Sequence, residues 1–158
     1  MKKIVLAALA ATIAVPAAAA PGDTATDQGA ATATIVAPIS IVHDGGALDF
    51  GIIVSPTVVS TVAVSGGSAA NTSGDAVVLS GGAADTFTVS GEAGRSFTIG
   101  TANETMGGGM SFTTSAPGSG TIGAGGSVQF SVEGELTIPA AQAAGTYNGT
   151  YDAEVTYL

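Results

Sequence analysis

The chain has no cysteine, no tryptophan, one histidine and only three Lys/Arg among 158 residues. Each scarcity excludes a class of function. Without cysteine there is no disulfide framework, no thiolate zinc site and no thiol nucleophile. Three basic side chains cannot line a stripe against phosphate, so nucleic acid is not an expected partner. Five Phe and three Tyr with no Trp make a poor sugar platform. They also leave out the aromatic pin of antibody-type domains. Charged residues are 9% of the chain and apolar ones 46%, the reverse of a disordered tail. What is present is 24 glycines and twelve carboxylates, with a net charge of −9. The length suits one domain.

The N-terminus has the layout of a secretory signal. Lys2 and Lys3 form a positive start, residues 4–15 an apolar run, and Pro16 precedes a run of alanines. The apolar run is too short to span a bilayer, and no later one is long enough, so no membrane span is expected after cleavage. Small residues at 17–19 place the cut after Ala19, with Ala20 as the alternative. The expected organisation is a cleaved signal at 1–19, a flexible segment at 20–30 and a β-sandwich at 31–158. Cleavage removes both lysines and leaves Arg95 as the one strong cation. So acidic a domain avoids anionic surfaces and stays soluble by repulsion.

The rest alternates short β-branched runs with Gly/Ser/Asn/Pro punctuation every eight to twelve residues or so, the mark of an all-β sandwich or barrel. Residues 31–42 have an apolar odd face: Ala31, Ala33, Ile35, Ala37, Ile39 and Ile41. That is period two, and Pro38 within it implies an edge strand or a switch between sheets. Further strands are expected at 47–54, 58–65, 75–80, 85–90, 95–99, 110–114, 127–138 and 146–158. Gly134 suggests a bulge or a break in the run 127–138. In 146–158 the odd positions Tyr147, Tyr151, Ala153, Val155 and Tyr157 form a core face, with Thr146, Asn148, Asp152 and Glu154 opposite. Residues 140–144 could form one helical turn, too short to pack.

Candidate sites are sparse. His43-Asp44 is the one adjacent His–Asp pair, yet no G-x-S-x-G marks a nucleophile, and His43 reads as a strand end entering the turn Gly45-Gly46. No EF-hand loop occurs. Glu133/Glu135 and Asp152/Glu154 lie two apart on strands and face solvent together, leaving at most a weak surface calcium site. A glycosidase pair at Glu133 and Glu135 would need carboxyls roughly 5–9.5 Å apart across a sugar cleft. Arg95 is expected to pair with Glu92 or Asp85. Asn71, Asn103 and Asn148 all sit in N-x-S/T sequons. No catalytic residue, cofactor or metal site is assigned.

Several runs together carry a resemblance: Thr32–Ile41, Leu48-Asp49-Phe50-Gly51-Ile52-Ile53-Val54, Phe87-Thr88-Val89-Ser90-Gly91-Glu92, Glu135–Pro139, and Gln142-Ala143-Ala144-Gly145-Thr146-Tyr147-Asn148-Gly149-Thr150-Tyr151. The chain resembles the bacterial secreted family called domain of unknown function family 4402. In layout it is similar to the spore coat protein U and fimbrial major-subunit pilin families. The resemblance spans residues 30–158. It implies an immunoglobulin-like, pilin-like antiparallel β-sandwich of about eight or nine strands, in the periplasm or on the surface of a Gram-negative-type bacterium, with no enzyme activity. The coat and fimbrial relatives often carry a disulfide, which this chain lacks.

That resemblance implies a mechanism of strand complementation, in which an incomplete sandwich takes an extended segment from a chaperone or from the next subunit. The acceptor candidates are Tyr151, Ala153, Val155 and Tyr157. The donor candidates are Ala31, Ala33 and Ile35, which follow the polar stretch 22–29. In the other arrangement the sandwich is self-complete and 31–42 pairs within its own subunit. The expected function is a secreted, non-enzymatic structural or adhesive surface subunit, with copies of itself or a periplasmic chaperone as partners. The alternative is a ligand-binding module for carbohydrate or weakly held calcium.

Overall fold

A computed structural model describes residues 21–22, 24–102 and 106–158. The signal sequence read at 1–19 and the sequon at Asn103 lie outside the described residues. The chain divides into two units, Met1–Thr34 and Ile35–Leu158. In the first, residues 24–34 form no strand or helix, and each is exposed.

The second unit is an antiparallel β-sandwich. Its strands are β1 (Ser40–His43), β2 (Ile52–Val54), β3 (Ser60–Ser65), β4 (Ser68–Ser73), β5 (Val77–Ser80), β6 (Asp85–Ser90), β7 (Ser96–Thr101), β8 (Ser111–Ser115), β9 (Ser119–Thr121), β10 (Ser127–Ile138) and β11 (Ala153–Tyr157). Described helix is limited to one 3-10 turn at Gly107–Gly109. The largest sheet runs β1-β6-β10-β3-β4, with β8 also on β10. A second runs β11-β7-β9, and β2 pairs with β5. Eleven strands exceed the eight or nine expected, because short polar strands lack the β-branched alternation that marks the others.

β10 organises the large sheet. Its first half pairs with β6 (Ser127↔Ser90 to Val132↔Asp85) and its second half with both β3 and β8. The exchange of partners happens at Glu133 and Gly134, where the strand runs on without a bulge or break, unlike the expectation. Gly134 is required for space: a Cβ there would lie 2.5 Å from the Thr113 carbonyl oxygen and 2.8 Å from Leu48. The β3–β4 hairpin turns on Gly66-Gly67 with φ of 59° and 80°, the left-handed pair that a two-residue turn requires.

The expectation of one strand over 31–42 is corrected. Only Ser40–His43 pairs, with β6, and residues 31–39 join no sheet. Pro38 removes a ladder donor, and the apolar side chains at 31, 33 and 35 are exposed rather than buried, with Ile35 at 94%. Pro38 therefore lies before β1 and in no strand, at neither an edge position nor a switch between sheets; β1 itself is the outermost strand of its sheet. The run 47–54 likewise contracts to Ile52–Val54, preceded by a single bridge from Asp49 to Ala83.

The core has two clusters. One gathers Phe50, Val62, Val64, Met110, Phe112, Leu136 and Ile138, and the other Val89, Phe97, Ile122, Phe130 and Val132. Full burial of each such side chain is worth roughly 1.5–3 kcal/mol. Tyr151 packs against both clusters and joins them.

Candidate functional site

Two features stand out, the outer edge of β11 and an aromatic cavity beside Asp85. Among the described strands β11 bonds only β7, from Ala153↔Thr101 to Tyr157↔Phe97. The Leu158 amide donates to Ser96 and the Ala102 amide to Asp152. In an antiparallel ladder this turns the backbone groups of Glu154 and Thr156 toward β7 and those of Ala153, Val155 and Tyr157 to the opposite edge. No described strand is hydrogen-bonded along that edge. The side chains at 151, 153, 155 and 157 are half-buried and those at 152, 154 and 156 exposed, as the alternation predicts.

The chain's own segment before β1 comes near this edge without pairing to it. The Tyr157 hydroxyl donates to the Ala37 carbonyl (3.0 Å) and accepts from the Glu92 amide (2.8 Å). Ile39 and Ile41 pack on the same cluster as Val155 and Tyr157. Gly91 makes room for the Tyr157 hydroxyl, since a Cβ there would lie 2.1 Å from it. The structure therefore places Ala153, Val155 and Tyr157 on the β11 edge that bonds no described strand, sets Tyr151 just before β11 with its hydroxyl on Asp85, and leaves Ala31, Ala33 and Ile35 outside any strand.

The second feature was not legible as a motif. Asp85, the first residue of β6, is 3% exposed. Its Oδ1 accepts from His43 Nε2 (2.7 Å) and the Thr86 amide (2.8 Å), and its Oδ2 accepts from the Tyr151 hydroxyl (2.7 Å). A carboxylate only accepts, so the His43 tautomer carries its proton on Nε2 here. His43 thus bonds a carboxylate 42 positions away. Its sequence neighbour Asp44 instead accepts from Thr88 and Gln129. Burial first, then the hydrogen bond to Asp85 and its negative charge, push the Tyr151 phenol far above its ordinary range.

Rings line up along this cluster. His43 lies 5.0 Å from Phe87, Phe87 and Phe112 each lie 6.2 Å from Tyr151, and Phe50 lies 6.2 Å from Phe112. Together with Asp85 they border a cavity of about 340 Å³. Arg95 does not pair with Glu92 or Asp85: its guanidinium lies over the Tyr157 ring at 6.0 Å, and the one His–carboxylate contact at ion-pair distance among the described residues is His43–Asp85, which is charged on both sides only when His43 is protonated.

A third cluster surrounds Asp75, whose carboxylate accepts from the Thr57 and Val58 amides and from the hydroxyls of Thr57 and Ser60. The Thr57 hydroxyl, with those backbone amides, holds the Asp75 carboxyl below the usual carboxylate range. The outer face of the β2–β5 ribbon is apolar, with Ile52, Val54, Val77 and Leu79 between 44% and 64% exposed. Among the described residues no three His, Asp or Glu side chains gather as a metal site, and no helix is long and apolar enough to cross a membrane.

No curated protein and no solved structure is found to match the chain. A family model described as a domain of unknown function, DUF4402, matches residues 39–157, from just before β1 through the last residue of β11. The match covers most of the chain and all of its described strands, and the protein belongs to this family.

Proposed function

We propose that this protein is a secreted, non-enzymatic structural or adhesive subunit of a bacterial surface, which assembles by strand complementation. The observation that carries this reading is the β11 edge. Ala153, Val155 and Tyr157 offer backbone groups there that no described strand pairs, while the side chains of Val155 and Tyr157 pack on the core. Such an edge is a template for an added strand. Residues 31–35, exposed and in no strand or helix, supply the alternation a donor needs, with apolar side chains at Ala31, Ala33 and Ile35. The partners are a second copy or a periplasmic chaperone of pilin type, and the place of action is the periplasm or cell surface. The resemblance in layout to coat and fimbrial subunits, read from the sequence alone, is in keeping with this reading.

Size-exclusion chromatography of the exported form, with SDS gels run without boiling, tests it. A heat-labile ladder is expected, and a clean monomer at high concentration would refute it. A second reading, a ligand-binding module, is favoured by one observation, the cavity beside Asp85.

A further inference from the structure

We propose that the cavity beside Asp85 binds a small organic ammonium ion, its cationic nitrogen against the carboxylate and its apolar part against the rings of Phe50, Phe87, Phe112 and Tyr151. This rests on the second reading and names its ligand; it is independent of strand assembly. The argument begins with charge. Asp85 is 3% exposed, and a buried carboxylate is costly unless it is paired. Its donors are an amide, a phenol and an imidazole, and no guanidinium or ammonium among the described side chains forms an ion pair with it. Three donors leave a carboxylate with acceptor capacity to spare.

The walls match that charge. Half of the chain's five Phe and three Tyr rings, four in all, border this one space. Aromatic faces attract cations, most strongly where water is displaced. A volume of about 340 Å³ is within the range of small-molecule sites. Such a site is mostly apolar with one or two placed polar groups, as here. An anion would meet the carboxylate and be repelled. A neutral ring would gain the walls but bring no charge to meet the carboxylate.

Gly46 offers a way to fill the space without touching the network. A Cβ there would lie 3.4 Å from Asp85 Oδ1, an ordinary van der Waals contact, and the Gly46 backbone has no positive φ. Gly46→Ala therefore narrows the cavity next to the carboxylate while His43, Asp85 and Tyr151 keep their bonds. Asp85→Asn removes the charge and keeps most of the shape.

The experiment is isothermal titration calorimetry of the exported protein with phenethylammonium chloride, and with 2-phenylethanol and 3-phenylpropionate as neutral and anionic probes. The ammonium is expected to bind at least about tenfold tighter than the alcohol, with no heat from the carboxylate. Both variants are expected to lose about tenfold or more toward the ammonium, with Gly46→Ala melting where the parent does. Equal affinity for the alcohol, no binding of the ammonium at millimolar concentration, or unchanged binding by Gly46→Ala would each overturn the proposal. None of these outcomes bears on the gel ladder, so the two readings fail separately.

Discussion

The Tyr151 hydroxyl donates to Asp85 Oδ2 at 2.7 Å across 66 positions, and this single bond ties the approach to the last strand to the start of β6. Through Asp85 it continues to His43 at the end of β1. Three elements that border the open β11 edge and the aromatic cavity are thereby held by one carboxylate. Tyr151→Phe keeps the ring between the two core clusters and removes only the donor. Leaving Asp85 with one partner fewer is expected to cost about 1–3 kcal/mol, read as a lower urea midpoint with an unchanged m-value.

The same phenol gives the protein an alkaline limit. Unfolded tyrosine titrates near 10.0, whereas burial and Asp85 keep Tyr151 protonated well beyond that in the folded chain. Above pH about 10 the unfolded state therefore releases a proton that the folded state retains, and stability falls as pH rises. Below that pH the contribution is complete. Urea midpoints measured from pH 8 to 11 should decline more steeply for the parent than for Tyr151→Phe.

Asp75 sets the opposite limit. Its carboxyl is held below its ordinary value of 3.8 by donors that only the folded chain assembles. Its contribution is present above the unfolded value and is lost as pH falls through the lower folded one. Asp75→Asn should flatten the acid arm of the stability profile between pH 5 and pH 2, by roughly the span over which a native carboxylate is protonated.

Gly74 closes the turn over this cluster. Its φ is +82°, and a Cβ would lie 2.1 Å from the Ser60 hydroxyl oxygen and 2.7 Å from Ser60 Cα. Ser60 is fully buried and its hydroxyl oxygen accepts from the amides of Asp75 and Ala76. Gly74→Ala thus meets both an unfavourable left-handed backbone and a collision with a fixed neighbour. A loss of more than about 2 kcal/mol is expected by chemical denaturation.

The donor segment should behave in the reverse way. Ala33 and Ile35 are exposed in the single chain and belong to no strand. An Ala33→Asp, Ile35→Asp double variant should keep the parent's melting temperature and lose the heat-labile ladder. A charge has no place in an apolar pocket between sheets.

How far the chain could be read in advance follows from where its information is local. β6 and β10 have the boundaries that β-branched alternation and glycine turns suggest, and the half-buried and exposed positions around β11 follow the odd and even pattern of 151–157. β4 escapes the same reading because Ser-Ala-Ala-Asn-Thr-Ser has no such alternation; the Gly66-Gly67 turn folds it back onto β3. Residues 31–39 mislead in the other direction, since a period-two pattern does not ensure a partner. The Asp85 network was invisible for a further reason. His43 and Tyr151 lie 42 and 66 positions from Asp85, and the carboxylate next to His43 in sequence, Asp44, bonds Thr88 and Gln129 instead.

Strand complementation at β11 is most directly read from amide hydrogen exchange at single-residue resolution, measured on the exported protein at low and high concentration. Glu154 and Thr156, whose amides face β7, should be protected at both. Ala153, Val155 and Tyr157, whose amides face the open edge, should exchange rapidly when dilute and gain protection as concentration rises. Exchange at these three positions that does not change with concentration would contradict strand exchange between copies.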